Sequence, residues 1–120
     1  MDFRITDGPI DATTHVIEPH GEIDLASAPD LRATLDAATD AGARHVVVDF
    51  EDVAFMDSRG LGVLLSAQRR LRARDRKLIV VCDDPLIRRV FEITGLTDVL
   101  NVTPSCRESP LGAQGFAAAS

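Results

Sequence analysis

The chain has 120 residues, 45% of them apolar and 27% charged, with a formal net charge of −6. That length suits one domain able to bury a core without disulfides or metals. Acidity, five Phe and the lack of Trp and Tyr argue against nucleic acid as a partner, because such a surface repels phosphate backbones and offers few rings for stacking.

The first ten residues, MDFRITDGPI, lack a basic start followed by an apolar run. No stretch reaches the roughly 18–20 apolar residues of a membrane helix. The expectation is a cytoplasmic protein that engages no membrane. Cys82 and Cys106 stand in unrelated contexts, and His15, His20 and His45 form no cluster with them, so no metal, disulfide or cofactor is expected.

Alternation in Phe3-Arg4-Ile5, and again from Thr14 to Ile23, predicts two strands in an N-terminal hairpin with its turn at Gly8-Pro9. Pro19 leaves the register of the second strand open. Ser27-Ala28-Pro29-Asp30 reads as a helix start, with Ser27 as the cap, Pro29 in the first turn and Asp30 as the acid of a capping box. Leu31, Leu35 and Ala38 then face the core, and the helix ends near Gly42. Residues 45–50, HVVVDF, read as a strand buried on both faces.

A second helix begins at Ser58, with Leu61, Leu64, Leu65 and Leu71 at helical spacing. Arg69, Arg70, Arg72 and Arg74 in its later turns read as a solvated end whose cations complement the helix dipole. Residues 77–82, KLIVVC, give another buried strand. Asp84-Pro85 opens a third helix through Thr94, and Gly95 before Leu96 supplies its left-handed stop. A last strand is expected at residues 99–102. The sum is one α/β domain over residues 1–104, a mixed sheet of about four to five strands with helices packed mainly on one side. Residues 105–120, interrupted by Pro110, Gly112 and Gly115, read as a partly disordered tail.

The chemistry concentrates in residues 53–65, VAFMDSRGLGVLL. An apolar segment ends at Asp57, a helix starts at Ser58, and Gly60 and Gly62 fall in its first turns, where glycine costs about 0.8–1 kcal/mol relative to alanine. Close approach of another molecule would compensate. Ser58 reads first as a plain N-cap; the same site would also suit a phosphate, which would meet free amides and the positive end of the helix dipole. A hydrolase elbow is excluded because Met56 stands where G-x-S-x-G needs its first glycine. Gly60-Leu61-Gly62 also lacks the third glycine of a dinucleotide site and the lysine of a P-loop. No enzyme is expected.

The segment FMDSRGLGVLL closely resembles the phosphorylation site of the anti-sigma factor antagonists of the STAS domain family. GEIDLASAPDLRATL, residues 21–35, is similar to that family's first loop and helix, and DPLIRRVFEITGLTDVL, residues 84–100, to its last block. The resemblance implies a single STAS-like domain that works by binding. Unmodified, such a protein sequesters an anti-sigma factor that is also a serine/threonine kinase; phosphorylated, it lets go, and a separate serine phosphatase resets it. Carried over by position, Ser58 is the phosphoacceptor, and Asp24, Asp57, Arg59, Gly60, Leu61 and Gly62 surround it. Arg59 departs from the Ser or Thr common in the family at that place. The chain would be a monomer or weak dimer. The alternative is a STAS module that is not phosphorylated and serves inside a larger signalling or transport complex.

Overall fold

The computed structural model describes residues 3–105. Nine elements follow one another: β1 (Arg4–Pro9), β2 (Thr14–Ile23), α1 (Ala28–Asp40), β3 (His45–Asp49), β4 (Val53–Met56), α2 (Ser58–Arg72), β5 (Lys77–Val81), α3 (Pro85–Ile93) and β6 (Val102–Thr103). The strands are ordered β1-β2-β3-β5-β6, with β4 beside β2. Only β1 and β2 pair antiparallel; β3, β4, β5 and β6 join by parallel pairing, which makes the sheet mixed.

The expected α/β domain is present, with six strands where four to five were anticipated. β4 is the addition, and its four residues VAFM form an unbroken apolar run in which only Val53 and Met56 are buried. The last strand lies at Val102–Thr103 rather than 99–102, because residues 97–100 form turns that end with Asn101 in the left-handed region. The first hairpin turns after Pro9, not at Gly8-Pro9. There the Asp11 carboxylate accepts from the amides of Thr13 and Thr14 at 2.8 and 2.9 Å, an Asx-type turn stronger than the Gly-Pro signal.

Each parallel connection needs a crossover, and α1, α2 and α3 supply them. The chain steps β2, β3, β5, β6 in one direction, and right-handed crossovers taken in one direction leave every helix on the same face. Leu31 and Leu35 of α1, Leu64 and Leu71 of α2 and Phe91 of α3 accordingly share one core with Ile17, Val46, Val48, Leu78 and Val80. The intervening strand residues Val47, Ile79 and Val81 form a second, smaller cluster on the opposite face.

Pro19 causes no break. It lies between the part of β2 paired with β3 (Thr14 to Ile17) and the part paired with β4 (Gly21 to Ile23), where neither strand requires its missing amide. Gly21, at φ +110°, opens the pairing of β2 with β4 and sits at its register shift, between Gly21 and Glu22.

Helix ends repeat one device. Gly95 at φ +72°, with Leu96 N–H donating to Phe91 C=O at 2.9 Å and Gly95 N–H to Glu92 C=O at 3.1 Å, closes α3 as expected. α2 closes the same way through Asp75 at φ +57°, with Arg76 N–H on Leu71 C=O at 2.9 Å. Asp75→Gly is therefore expected to raise stability by about 0.5–1 kcal/mol, because relief of about 1–2 kcal/mol of left-handed strain exceeds glycine's added unfolded-state entropy. An upward shift of the urea midpoint at unchanged slope checks this.

Candidate functional site at the start of α2

The parallel β2–β4 pairing sets Ile23 beside Met56. The next residue of each strand, Asp24 and Asp57, therefore leaves the sheet at the same edge, and the Asp57 amide donates to Ile23 C=O at 3.1 Å. α2 begins one residue later.

Asp57 is the N-cap, with extended backbone and a carboxylate that accepts from the Arg59 amide at 2.9 Å. Ser58 is thus the first helical residue and not the cap that its type suggested. Aspartate is as good a cap as serine, and with that duty met by Asp57 the exposed Ser58 hydroxyl carries no capping bond. It stands where helix amides lack intrahelical partners and the dipole favours negative charge. Arg59 reaches back to Asp57 at 3.8 Å, an exposed pair that contributes about 0–1 kcal/mol.

Asp24 builds the neighbouring loop. Its Oδ1 accepts from the amides of Ala26 and Ser27 at 3.0 and 3.1 Å, while the Ser27 hydroxyl donates to Glu22 C=O at 2.6 Å and receives the Asp24 amide. Ser27 therefore does not cap α1 with its side chain; its hydroxyl is spent inside this loop, and Asp30 is exposed and closes no capping box.

The two glycines differ. A Cβ on Gly60 would lie 2.6 Å from Met56 Cγ and 2.9 Å from Ile23 Cγ2, whereas one on Gly62 would meet nothing within 4 Å. Gly60 is buried because the helix start presses on β2 and β4; it does not expose backbone. Leu61 also turns into the core. Of the seven residues singled out in sequence, Ser58, Arg59 and Gly62 form the open surface, with Asp24 and Asp57 half-buried beside it. Two exposed apolar residues join them: Leu25 follows Asp24 and is 65% exposed, and Phe55 on β4 is 50% exposed. Both lie within segments that carry the family resemblance, yet neither was singled out there. Strict alternation would set Phe55 on the face of buried Val53; its exposure follows from the register shift of the β2–β4 pairing between Gly21 and Glu22.

The STAS domain family model matches residues 5–109. The chain belongs to the STAS domain family. Among relatives, the anti-sigma-B factor antagonist of Staphylococcus aureus is 37% identical over 82 residues, 68% of this chain and 76% of that protein; its counterpart in Staphylococcus epidermidis is 34% identical over the same length. The anti-sigma factor antagonist SpoIIAA in its unphosphorylated form superimposes with a TM-score of 0.73 at 29% identity, over 85% of this chain and 90% of that one. The Bacillus SpoIIAA in its phosphorylated form gives 0.68 at 27%, over 85% and 93%. This STAS chain is thus related to anti-sigma factor antagonists, which are regulators and not enzymes.

Elsewhere in this STAS domain the arginine run divides: Arg69, Arg72 and Arg74 are exposed as expected, whereas Arg70 is half-buried. Arg70 bridges Asp36 and Asp40 of α1, and Arg76 donates to Ala43 C=O at 3.3 Å. Arg70 thereby clamps α1 to α2, and Arg76 ties together the segments that follow the two helices. A cleft of about 630 Å³ lies at the ends of β3 and β5, lined by Asp49, Glu51, Asp83 and Asp84 among others and not by Ser58. No group of side chains suited to a metal occurs among the described residues. Cys82 is buried and its thiol is pushed up to about 11 by burial; Cys106 and nearly all of the expected 105–120 tail lie outside the described residues. Among the described residues no helix is long and apolar enough to cross a membrane.

Burial raises the Asp49 carboxyl above the usual aspartate range, opposed by the Glu51 amide and reinforced by Glu18 and Asp52. A carboxyl that binds its proton more tightly folded than unfolded lowers stability above its folded pKa, and the penalty disappears below the unfolded value. Asp49→Asn is expected to stabilise the protein near pH 7 and to have little effect near pH 3, about one unit below the unfolded aspartate value. Denaturant midpoints at the two pH values check the sign.

Proposed function

We propose that this chain is an anti-sigma factor antagonist whose switch is phosphorylation of Ser58. Unmodified, it binds an anti-sigma factor that is also a serine/threonine kinase, and the sigma factor is released. The kinase transfers the γ-phosphoryl group of ATP to the Ser58 hydroxyl, leaving ADP, and the modified protein no longer binds. A serine phosphatase restores it by hydrolysis. The chain supplies an acceptor and a surface, so it needs no cofactor of its own.

The observation that carries this reading is the exposed Ser58 hydroxyl at the first position of α2, relieved of capping by Asp57. Modification there costs the helix no cap. The printed names of relatives support the class, and SpoIIAA occurs in both unphosphorylated and phosphorylated forms. Asp24 and Asp57 on the same edge set the local charge against which a phosphate acts, while Arg59 and the helix dipole oppose them.

The test is displacement. Adding unmodified protein to a purified sigma–anti-sigma complex releases the sigma factor on gel filtration, and adding Ser58→Asp does not. Release by both variants alike would defeat the phosphorylation switch.

A further inference from the structure

We infer that the partner docks along the whole outer stripe of α2 with one of its own helices, one that carries carboxylates opposite Arg69 and Arg72. This rests on the reading of Ser58 given above and extends it from a point to a surface.

Ser58, Gly62, Leu65, Arg69 and Arg72 are spaced four, three, four and three residues apart. That spacing keeps them on one face and is the seam by which two helices pack side by side. Ser58, Gly62, Arg69 and Arg72 are exposed and Leu65 is half-buried, so the stripe is the solvent side of the helix. Gly62 has open space where a side chain would be, and nothing within the chain needs a glycine there. A helix interior disfavours glycine, and an approaching helix backbone is what would make its small size useful.

Charge identifies the occupant. The chain carries a net −6, yet α2 itself contains four arginines and no acid. Its three later cations differ in employment: Arg70 is held by Asp36 and Asp40, while among the described residues neither Arg69 nor Arg72 has a carboxylate within ion-pair distance. At 1.5 Å per residue, they lie about 16 and 21 Å along the axis from Ser58. The partner helix therefore carries its acids about three to four turns from the residue that faces Ser58.

The experiment titrates each purified anti-sigma factor kinase of the source genome against the full chain and its variants by calorimetry. Arg69→Glu/Arg72→Glu is expected to weaken binding by about tenfold or more at low salt, with the gap narrowing as salt rises. Gly62→Ala is expected to weaken binding by about tenfold at any salt while melting at a higher temperature, which excludes misfolding as the cause. Wild-type affinity in both variants, beside a loss in Ser58→Asp, overturns the docking stripe and leaves the switch standing. A loss in the arginine variant that is independent of salt overturns the acidic helix. Undiminished binding by Ser58→Asp overturns the switch and the stripe together.

Discussion

Ser58→Asp is expected to weaken binding to the cognate anti-sigma factor kinase by about a hundredfold, while Ser58→Ala binds like the wild type and resists modification. A phosphoserine brings about −1.5 to −2 charges to the edge where Asp24 and Asp57 leave the sheet. At an effective dielectric near 20, each pair of like charges about 6 Å apart costs roughly 3 kcal/mol, the equivalent of about two decades in affinity. Repulsion inside the free protein is smaller, because Arg59, loosely held by its 3.8 Å pair with Asp57, can turn to the phosphate, and the start of α2 accepts negative charge. Most of the cost thus arises when a partner strips water from the site. The change is electrostatic and local, with the core of α2 undisturbed. Calorimetric titration of the three proteins against one kinase measures it, and equal affinity for Ser58→Asp and Ser58→Ala would remove charge from the account.

Gly60→Ala is expected to lower stability by about 1–3 kcal/mol, the usual cost of one extra methyl in a filled site. Its Cβ would fall 2.6–2.9 Å from Met56 and Ile23. Met56 is flexible and can retreat in part, but Ile23 is branched, fully buried and fixed by its place opposite Met56 in the β2–β4 pairing. Yielding therefore displaces the start of α2, and with it Ser58. Two residues on, Gly62→Ala is expected to stabilise by about 0.8–1 kcal/mol, since alanine is the better helix former and the added methyl meets open space. Thermal melts of the pair should shift in opposite directions. Shifts of the same sign would contradict the separation of a packing glycine from a surface one.

Much of this arrangement was legible in the sequence because several local signals agreed. Three consecutive valines in β3, the Asp84-Pro85 start of α3 and the Gly95 stop each follow from backbone chemistry that the surroundings do not alter. The start of α2 at Ser58 was equally plain. What stayed hidden depends on long-range contact. Which residues of the apolar run VAFM turn inward is set by its pairing with β2, whose register shifts between Gly21 and Glu22 and breaks simple alternation. Whether Ser27 caps α1 turns on a loop in which Asp24 and Ser27 bond to each other and to the end of β2, and Asp57, not Ser58, caps α2 where its amide is held by Ile23 C=O of β2. The contrast between Gly60 and Gly62 arises only when Ile23, more than thirty residues earlier, is packed beneath the helix. The arginine run shows the same limit, since Asp36 and Asp40 select Arg70 for a clamp and leave Arg69 and Arg72 facing outward.

Intact-mass spectrometry after incubation with each anti-sigma factor kinase of the source genome, ATP and magnesium tests the central claim most directly. The account predicts a single added phosphate with one kinase, mapped by fragmentation to Ser58 and absent from Ser58→Ala. No modification by any of them, or a phosphate that persists in Ser58→Ala, would contradict it and leave a STAS module that binds without this switch.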